Sequence, residues 1–200
     1  EYHTSAVRKI FGDEVHLCGV DLAPAVREGA VGSGQIDSAE SSIAALIDRA
    51  PDAVHVLVPP QHHASTTIPL IEAGIDVLLE KPLAGSLADC AAIAAAAAVS
   101  DACVATSHNQ LYYDVWDRAR ALIGAGAIGA VRAVDMVSRR PLGFLRVGDT
   151  RPWMMHGPTN VLFEVAPHAF AQVLDVVDDL HVCAATPIDP QVLPNGVEFH

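Results

Sequence analysis

A Glu-Lys-Pro tripeptide at residues 80–82 ends an apolar run and contains Lys81, one of only two lysines in the chain. A lysine ammonium is a compact charged donor that can hydrogen-bond a reacting oxygen and stabilise negative charge on it. A lysine at the end of a strand is equally compatible with an ordinary solvated side chain. The elements around Lys81 decide between these interpretations.

A second pair of reactive side chains, Glu164 and His168, lies four residues apart in the run EVAPHAF. Four residues separate neighbours on one face of a helix, and a helix is predicted over residues 160–177. An imidazole titrates near neutral pH, which suits a group that accepts or donates a proton. Since His168 follows a proline, it could also be a histidine at the start of a helix.

Alternating strands and helices are predicted to position these residues. The predicted strands are residues 14–20, 53–58, 75–79 and 102–106, and the predicted helices are residues 41–50, 63–73, 86–99 and 112–123. Gly74 is expected to end its helix, and Ser86 with Asp89 resembles a capping box. Strands and helices that alternate at this spacing predict a parallel sheet covered on both faces.

Ligands of open parallel sheets bind at the carboxyl ends of the strands. One residue found at such an end is Asp21, which follows the first predicted strand. An aspartate there can accept hydrogen bonds from ribose hydroxyls and repels a 2′-phosphate, and no arginine follows it closely. This favours NAD over NADP, although aspartate is also a common turn residue.

Composition excludes several other classes of protein. The formal net charge of −12 argues against nucleic-acid binding, which requires a basic surface. No apolar run approaches the roughly 18 residues that a membrane span needs, and the first residues do not resemble a signal peptide.

The cysteines and histidines do not show the spacing of a metal site. Cys18, Cys90, Cys103 and Cys183 form no CxxC pair and are interpreted as free thiols in a reducing, cytoplasmic compartment. The histidines at positions 55, 62 and 63 also lack the spacing of metal ligands, so no metal is expected.

Residues 53–90, AVHVLVPPQHHASTTIPLIEAGIDVLLEKPLAGSLADC, resemble the nucleotide-binding half of the Gfo/Idh/MocA oxidoreductase family. This family includes glucose–fructose oxidoreductase and inositol dehydrogenase, and its hallmark is the EKP tripeptide at a strand end. The resemblance continues through SHNQLYYDVWDRARALIGAGAIGAVRAV and reappears at EVAPHAF. Several spaced motifs in the right order make it specific, and it covers most of the chain.

The resemblance implies an α/β fold with a Rossmann-type, doubly wound parallel sheet that binds NAD. The candidate cofactor-binding residues are Asp21, Pro59, Pro60, His63, Glu80, Lys81 and Asn109. A cis Lys81-Pro82 bond is also expected, because a functional lysine at a strand end must turn sharply and X-Pro bonds adopt cis at low cost.

The resemblance further implies a dehydrogenase that acts on a sugar, cyclitol or related polyol. Lys81 would hydrogen-bond the reacting hydroxyl, His168 would accept its proton, and Glu164, where the family usually has aspartate, would orient or polarise the region. Three residues could line the substrate pocket or simply pack there: Trp153, His156 and Asn160.

Two other functions remain open at this point. The same fold can host a catalytically silent, NAD-sensing regulator, or an oxidoreductase of the same family that reduces an imine or enone. Because the chain keeps both Lys81 and His168, the enzyme is favoured over the regulator.

Two domains are expected, a dinucleotide-binding domain over residues 1–127 and the opening part of an α+β substrate domain over residues 128–200. The second is predicted to contain strands at residues 130–138 and 180–185 around its helix, in a mostly antiparallel sheet. Through that sheet the complete protein would form a homo-oligomer, a dimer or tetramer.

The beginning of the chain departs from the family. The family opens with a strand and a GxGxxG turn, whereas EYHTSAVRKIF predicts the helix that follows such a turn. Gly32-Ser33-Gly34 follows no strand and is not a substitute. The chain is therefore expected to be an incomplete copy, whose sheet has two unpaired inner edges.

Overall fold

The computed structural model describes residues 2–137, 158–177, 181, 191–193 and 196–198. The chain divides into two compact units, residues 1–106 and 107–200. The predicted domain boundary near residue 127 falls inside the second unit and stays a prediction. In the described parts of the chain, no helix combines the length and apolar character that a membrane span requires.

Helices and strands alternate along the first unit. The described α-helices are α1 (Tyr2–Phe11), α2 (Pro24–Gly32), α3 (Ile43–Ile47), α4 (His63–Glu72), α5 (Leu87–Ala98), α6 (Asp114–Gly124) and α7 (Pro158–Leu174). The described strands are β1 (Cys18–Val20), β2 (Ser38–Glu40), β3 (Ala53–Val56), β4 (Asp76–Glu80), β5 (Val104–Ser107), β6 (Gln191–Leu193) and β7 (Gly196–Glu198). Short 3₁₀ turns span Gly12–Glu14, Pro60–His62 and Asn109–Tyr112.

The strands of the first unit form two parallel sheets. β1 pairs with β2 in the register Gly19↔Ala39, and β3 pairs with β4 in the register His55↔Leu78 within the order β3-β4-β5. Among the described strands, β1 and β3 each keep one edge without a partner. In the Rossmann strand order 3-2-1-4-5-6, the strand numbered 1 lies between strands 2 and 4. Strands β1 and β3 correspond to those strands 2 and 4, so the two sheets have the strand order that the sequence predicts.

The core lies between β3, β4 and the helices that cover them. Val77 and Leu79 of β4 are buried while Leu78 is exposed, which is the period-two pattern of a strand. Leu70 of α4 and Ile93 of α5 are almost fully buried against this sheet. Each such side chain contributes roughly 1.5–3 kcal/mol by leaving water, so β4 is held firmly up to the residue that precedes Lys81.

The predicted helix ends are confirmed. Ser86 Oγ accepts a hydrogen bond from the Asp89 amide at 3.1 Å and donates to the Asp89 carboxylate at 2.8 Å, so the capping box is present. Gly74 follows α4 with a φ of +74°, the left-handed conformation that favours glycine.

Some predicted elements differ from the structure. Residues 130–137 are not a strand, because alternating side chains form one only where a neighbouring strand pairs with the backbone. The strand predicted from residue 14 begins only at Cys18, after a 3₁₀ turn. The predicted strand at residues 180–185 is almost wholly outside the described residues. Helix α2 and strand β2 were not predicted, since these short segments show neither the helical nor the strand period clearly.

In the second unit, α6 is tied to the end of α7. Trp116 Nε1 donates to the Asp175 carboxylate at 2.7 Å, and the Arg120 guanidinium lies 3.5 Å from the same group. Asp117 also bonds Arg120, and this contact raises the pKa of the arginine above its ordinary value. The two contacts fix the C-terminal end of the helix that carries Glu164 and His168. β6 and β7 form an antiparallel pair.

Candidate active site

The loops after β3 and β4 lie at the same edge of the sheet, because the two strands are parallel neighbours. Pro59 and Pro60 follow β3, and Glu80 is the last residue of β4. Lys81 comes next and is half-buried, while Pro82 is buried. The Lys81-Pro82 bond is cis, as predicted.

His63, the first residue of α4, holds these two loops together. Its ring is 1% exposed. Nε2 lies 2.8 Å from the carbonyl oxygen of Val58, and Nδ1 lies 3.1 Å from that of Leu83. Carbonyl oxygens only accept, so each contact is a hydrogen bond when that nitrogen carries a proton. The described contacts of His63 therefore support the loop after Lys81, and its predicted contact with a cofactor stays a prediction.

Gly85 provides a second point of close approach between the loops. A Cβ at this position would lie 3.2 Å from Gln61 Cα and 3.3 Å from Gln61 N, closer than most real contacts. Backbone atoms at that distance cannot rotate away as a side chain can. A side chain at position 85 would therefore require the two loops to move apart by a few tenths of an ångström.

Glu80 faces two histidines. Its Oε1 lies 3.4 Å from Nε2 of His55 on β3 and 3.6 Å from Nε2 of His3 on α1. Burial, followed by the nearby His3, lowers the pKa of His55, while the Glu80 carboxylate opposes that shift. A neutral imidazole is therefore favoured at position 55.

Asp21 directly follows β1 and is exposed. Its Oδ1 accepts a hydrogen bond from the Ala23 amide at 2.8 Å, which fixes the carboxylate beside the start of α2. Arg27 Nη1 donates to the carbonyl oxygens of Asp21, at 2.6 Å, and Leu22, at 3.1 Å. The expectation that no arginine lies close to Asp21 is therefore wrong, because the side chain of Arg27 folds back over the first turn of its helix.

In the second unit, His168 is 7% exposed and lines a cavity of about 150 Å³. The cavity is lined by Gln110, Met136, Val137, Val165, His168, Ala169 and Gln172. The alternative of a helix-start histidine is wrong, since α7 begins at Pro158. Glu164 lies one turn earlier on the same helix and is half-buried.

The remaining candidates are placed less completely. Asn109 is exposed at the start of the 3₁₀ turn that follows β5, and Asn160 is half-buried in the first turn of α7. Trp153 and His156 lie outside the described residues. The predicted roles of all these residues stay predictions.

Sequence reasoning missed the part played by His3 and Arg27. His3 belongs to an N-terminal helix with no motif, and its neighbours His55 and Glu80 are distant in sequence. Arg27 lies one turn inside a helix that begins at Pro24. A long side chain at that position can reach back to the preceding loop, and this spacing could have indicated its contact with Asp21.

Residues 22–108 match the model of an oxidoreductase family with an NAD-binding Rossmann fold, GFO_IDH_MocA. The chain is also similar to a dTDP-3,4-didehydro-2,6-dideoxy-alpha-D-glucose 3-reductase from Streptomyces violaceoruber, with 36% identity over 92 residues. That match covers 46% of this chain and 27% of the reductase.

Two solved structures have a similar fold. One is a levoglucosan dehydrogenase in complex with NADH and levoglucosan, with a TM-score of 0.70 and 20% identity over 87% of this chain and 49% of the other. The second is a myo-inositol 2-dehydrogenase from Lactobacillus plantarum, with a TM-score of 0.70 and 16% identity over 86% and 51% of the two chains.

The chain spans about half the length of these dehydrogenases and about a quarter of the reductase. The family match, the parallel sheets and the Glu-Lys-Pro strand end coincide in the first unit. The resemblance seen in the sequence and the Rossmann-type fold are thus confirmed, and the matching family model is that of an NAD-binding domain. Residues 22–108 are thus similar to the NAD-binding Rossmann-fold part of the Gfo/Idh/MocA oxidoreductase family.

Proposed function

We propose that the protein is an NAD-dependent oxidoreductase that acts on a secondary alcohol of a sugar, cyclitol or related polyol. The observation that carries the proposal is the position of Lys81. It directly follows β4, beside the loop of a parallel neighbour, within a segment of an NAD-binding family. Ligands of this fold class bind at that edge of the sheet.

The residues at the strand ends fit NAD. The exposed Asp21 carboxylate can only accept hydrogen bonds, and ribose hydroxyls can donate them. Pro59, Pro60, Glu80 and Asn109 are proposed as further contacts. When bound, NAD supplies the redox chemistry by accepting a hydride from the substrate carbon.

Lys81 is proposed to donate a hydrogen bond to the reacting hydroxyl oxygen. A cation at that point favours negative charge on the oxygen as its proton leaves. The buried ring of His63 contacts the carbonyl oxygens of Val58 and Leu83, which supports the loop on which Lys81 lies. Such support matters because a catalytic donor works best when its position is fixed before the substrate binds.

His168 is proposed to accept the hydroxyl proton. It lines a cavity and lies on a helix whose end is held by Trp116 and Arg120. An imidazole that begins neutral can take a proton and return it to solvent. Glu164, one turn earlier, is proposed to orient or polarise the same region.

The substrate class is supported by the named relatives. The similar reductase acts on a sugar nucleotide by its name, and the two similar structures are dehydrogenases of levoglucosan and myo-inositol. Levoglucosan and myo-inositol are polyhydroxylated rings, and the third name describes a dideoxy sugar that is oxidised at carbons 3 and 4. Trp153, His156 and Asn160 are proposed as substrate contacts. A cytoplasmic homo-oligomer is also proposed, and analytical ultracentrifugation of the protein tests its assembly.

The test follows NADH absorbance while the protein is mixed with NAD and a panel of sugars and cyclitols. We expect at least one polyol to be oxidised, with a rate that is proportional to protein concentration. Dinucleotide affinity is measured separately by calorimetry. Tight binding of NAD without turnover of any polyol, in either direction, would contradict the enzyme and favour the regulator.

A further inference from the structure

His3, His55 and Glu80 come from three different elements and meet at one face of the sheet. In the register of β3 and β4, His55 lies opposite Leu78, and residues two apart in a strand share a face. Glu80 is therefore on the same face as His55, one diagonal step away. His3 of α1 covers this face, with its ring 4.5 Å from that of His55 and nearly perpendicular to it.

The separations within this cluster are longer than those of good hydrogen bonds. Glu80 Oε1 lies 3.4 Å from His55 Nε2 and 3.6 Å from His3 Nε2, whereas N–H···O bonds span roughly 2.7–3.2 Å. The buried Nε2 of His55 has no hydrogen-bond partner among the described residues. The carboxylate thus faces both nitrogens at separations longer than those of a good hydrogen bond.

The same separations fit a metal ion. Ligand atoms about 2.1 Å from a tetrahedral ion lie about 3.4 Å from each other. One ligand atom from each of the three residues lies within 4.8 Å of the other two. Two imidazoles and one carboxylate thus offer three converging ligand atoms to one ion.

We propose that His3, His55 and Glu80 bind one divalent transition-metal ion, of which Zn²⁺ is the best match. Two imidazole nitrogens and one carboxylate oxygen are a common ligand set for Zn²⁺, and three protein ligands leave a fourth position for water. The ion ties α1 to β3 and to the end of β4. This site goes beyond the proposed function and does not rest on it, since the metal binds without dinucleotide or substrate.

The test is a Co²⁺ titration of protein that has first been freed of metal with a chelator. Co²⁺ replaces Zn²⁺ in tetrahedral sites and gives a visible absorption band that reports the geometry. We expect one equivalent to bind, with a band that Zn²⁺ abolishes. In His55→Gln and Glu80→Gln, affinity should fall at least tenfold, while His62→Gln, which changes an exposed histidine outside the cluster, should bind as the unchanged protein does.

The proposal is overturned if the unchanged protein does not bind one equivalent of Co²⁺ saturably. An equal loss of binding in His62→Gln, or unchanged binding in both ligand variants, also overturns it. Circular dichroism and melting temperatures of each variant show whether it folds. If one ligand variant is unfolded, the other and the titration of the unchanged protein still decide the question. NADH production is not part of the readout, so failure of the metal site is distinguishable from failure of the proposed function.

Discussion

The ring of His63 lies 3.1 Å from the carbonyl oxygen of Leu83, and this contact joins the first turn of α4 to the loop that follows Lys81. The other ring nitrogen faces the carbonyl oxygen of Val58 at 2.8 Å, two residues after the end of β3. A single buried imidazole therefore supports both loops of the candidate site.

Replacing this ring with an apolar side chain should destabilise the protein. In His63→Leu, the carbonyl oxygen that accepts the ring's N–H loses its partner in a part-buried position, which costs about 1–3 kcal/mol. Thermal melting should show a clearly lower Tm than for His62→Leu, the exposed neighbour. Equal melting temperatures for the two variants would mean that His63 supports neither loop.

The close approach at Gly85 predicts a second effect. In Gly85→Ala, the new methyl group meets the backbone of Gln61 at 3.2–3.3 Å, and the overpacking should cost about 1–3 kcal/mol. Gly29→Ala is the matched control, because a Cβ there meets nothing and alanine is favoured inside α2. Urea unfolding should show a loss of stability for the first variant and none for the second. A Gly85→Ala protein as stable as its control contradicts the close approach.

An acid-dependent contribution to stability is expected from Asp37. Its carboxylate accepts a hydrogen bond from the Leu17 amide at 2.6 Å and pairs with Arg8, and these contacts, in that order, lower its pKa. The folded state thus favours the carboxylate. The stabilisation is fully present above the unfolded pKa of about 3.9 and is lost as pH falls through the lowered folded value.

Melting temperatures of the unchanged protein and of Asp37→Asn check this expectation. The unchanged protein should be the more stable at pH 7, and the difference should shrink as the pH falls below about 4. Asp13→Asn, which changes an exposed aspartate in the turn after α1, should show no such trend. Two parallel curves for Asp37→Asn and the unchanged protein would contradict the effect of Leu17 and Arg8.

The choice of dinucleotide should depend on Asp21. The unchanged protein is expected to bind NAD more tightly than NADP, since the carboxylate repels a 2′-phosphate. In Asp21→Asn that repulsion disappears, and Arg27 lies beside the same residue. The ratio of NAD affinity to NADP affinity should fall by about tenfold, which is about 1.4 kcal/mol of binding free energy. Calorimetric titration with both dinucleotides measures the two affinities, and Glu28→Gln is the control. Tighter binding of NADP than of NAD by the unchanged protein would contradict the prediction.

The sequence predicted what depends on local pattern. Strand β4 contains a short apolar run, Ser86 precedes a carboxylate by three residues, and Gly74 ends a helix. Each of these patterns spans only a few consecutive residues, so the sequence alone contains the information needed to predict the local structure.

Features that depend on tertiary contacts were not predictable in this way. His3 meets Glu80 only because a helix and a strand pack together, and no spacing rule connects residues so distant in sequence. The alternation in residues 130–137 predicts a strand, yet strand formation also requires a paired neighbour, which is information that lies elsewhere in the chain.

Lys81→Met is the most direct test of the candidate active site. Methionine keeps much of the length of the side chain but removes its charge and its donors. If Lys81 hydrogen-bonds the reacting oxygen, its loss should lower kcat by about 10²–10³, the cost of removing a donor that acts mainly in the transition state. The Tm should change little, because a half-buried residue after the end of β4 contributes little to the core.

The chain provides its own control for this substitution. Lys9, the other lysine, is exposed near the end of α1, and Lys9→Met removes the same charge without touching the loop after β4. Steady-state kinetics and melting temperatures of both variants should therefore separate a local catalytic effect from a general effect of charge. Near-normal turnover in Lys81→Met would identify Lys81 as an ordinary solvated side chain. An equal loss of activity in both variants would instead assign the effect to net charge, and in either case the proposed oxidoreductase would lose its main support.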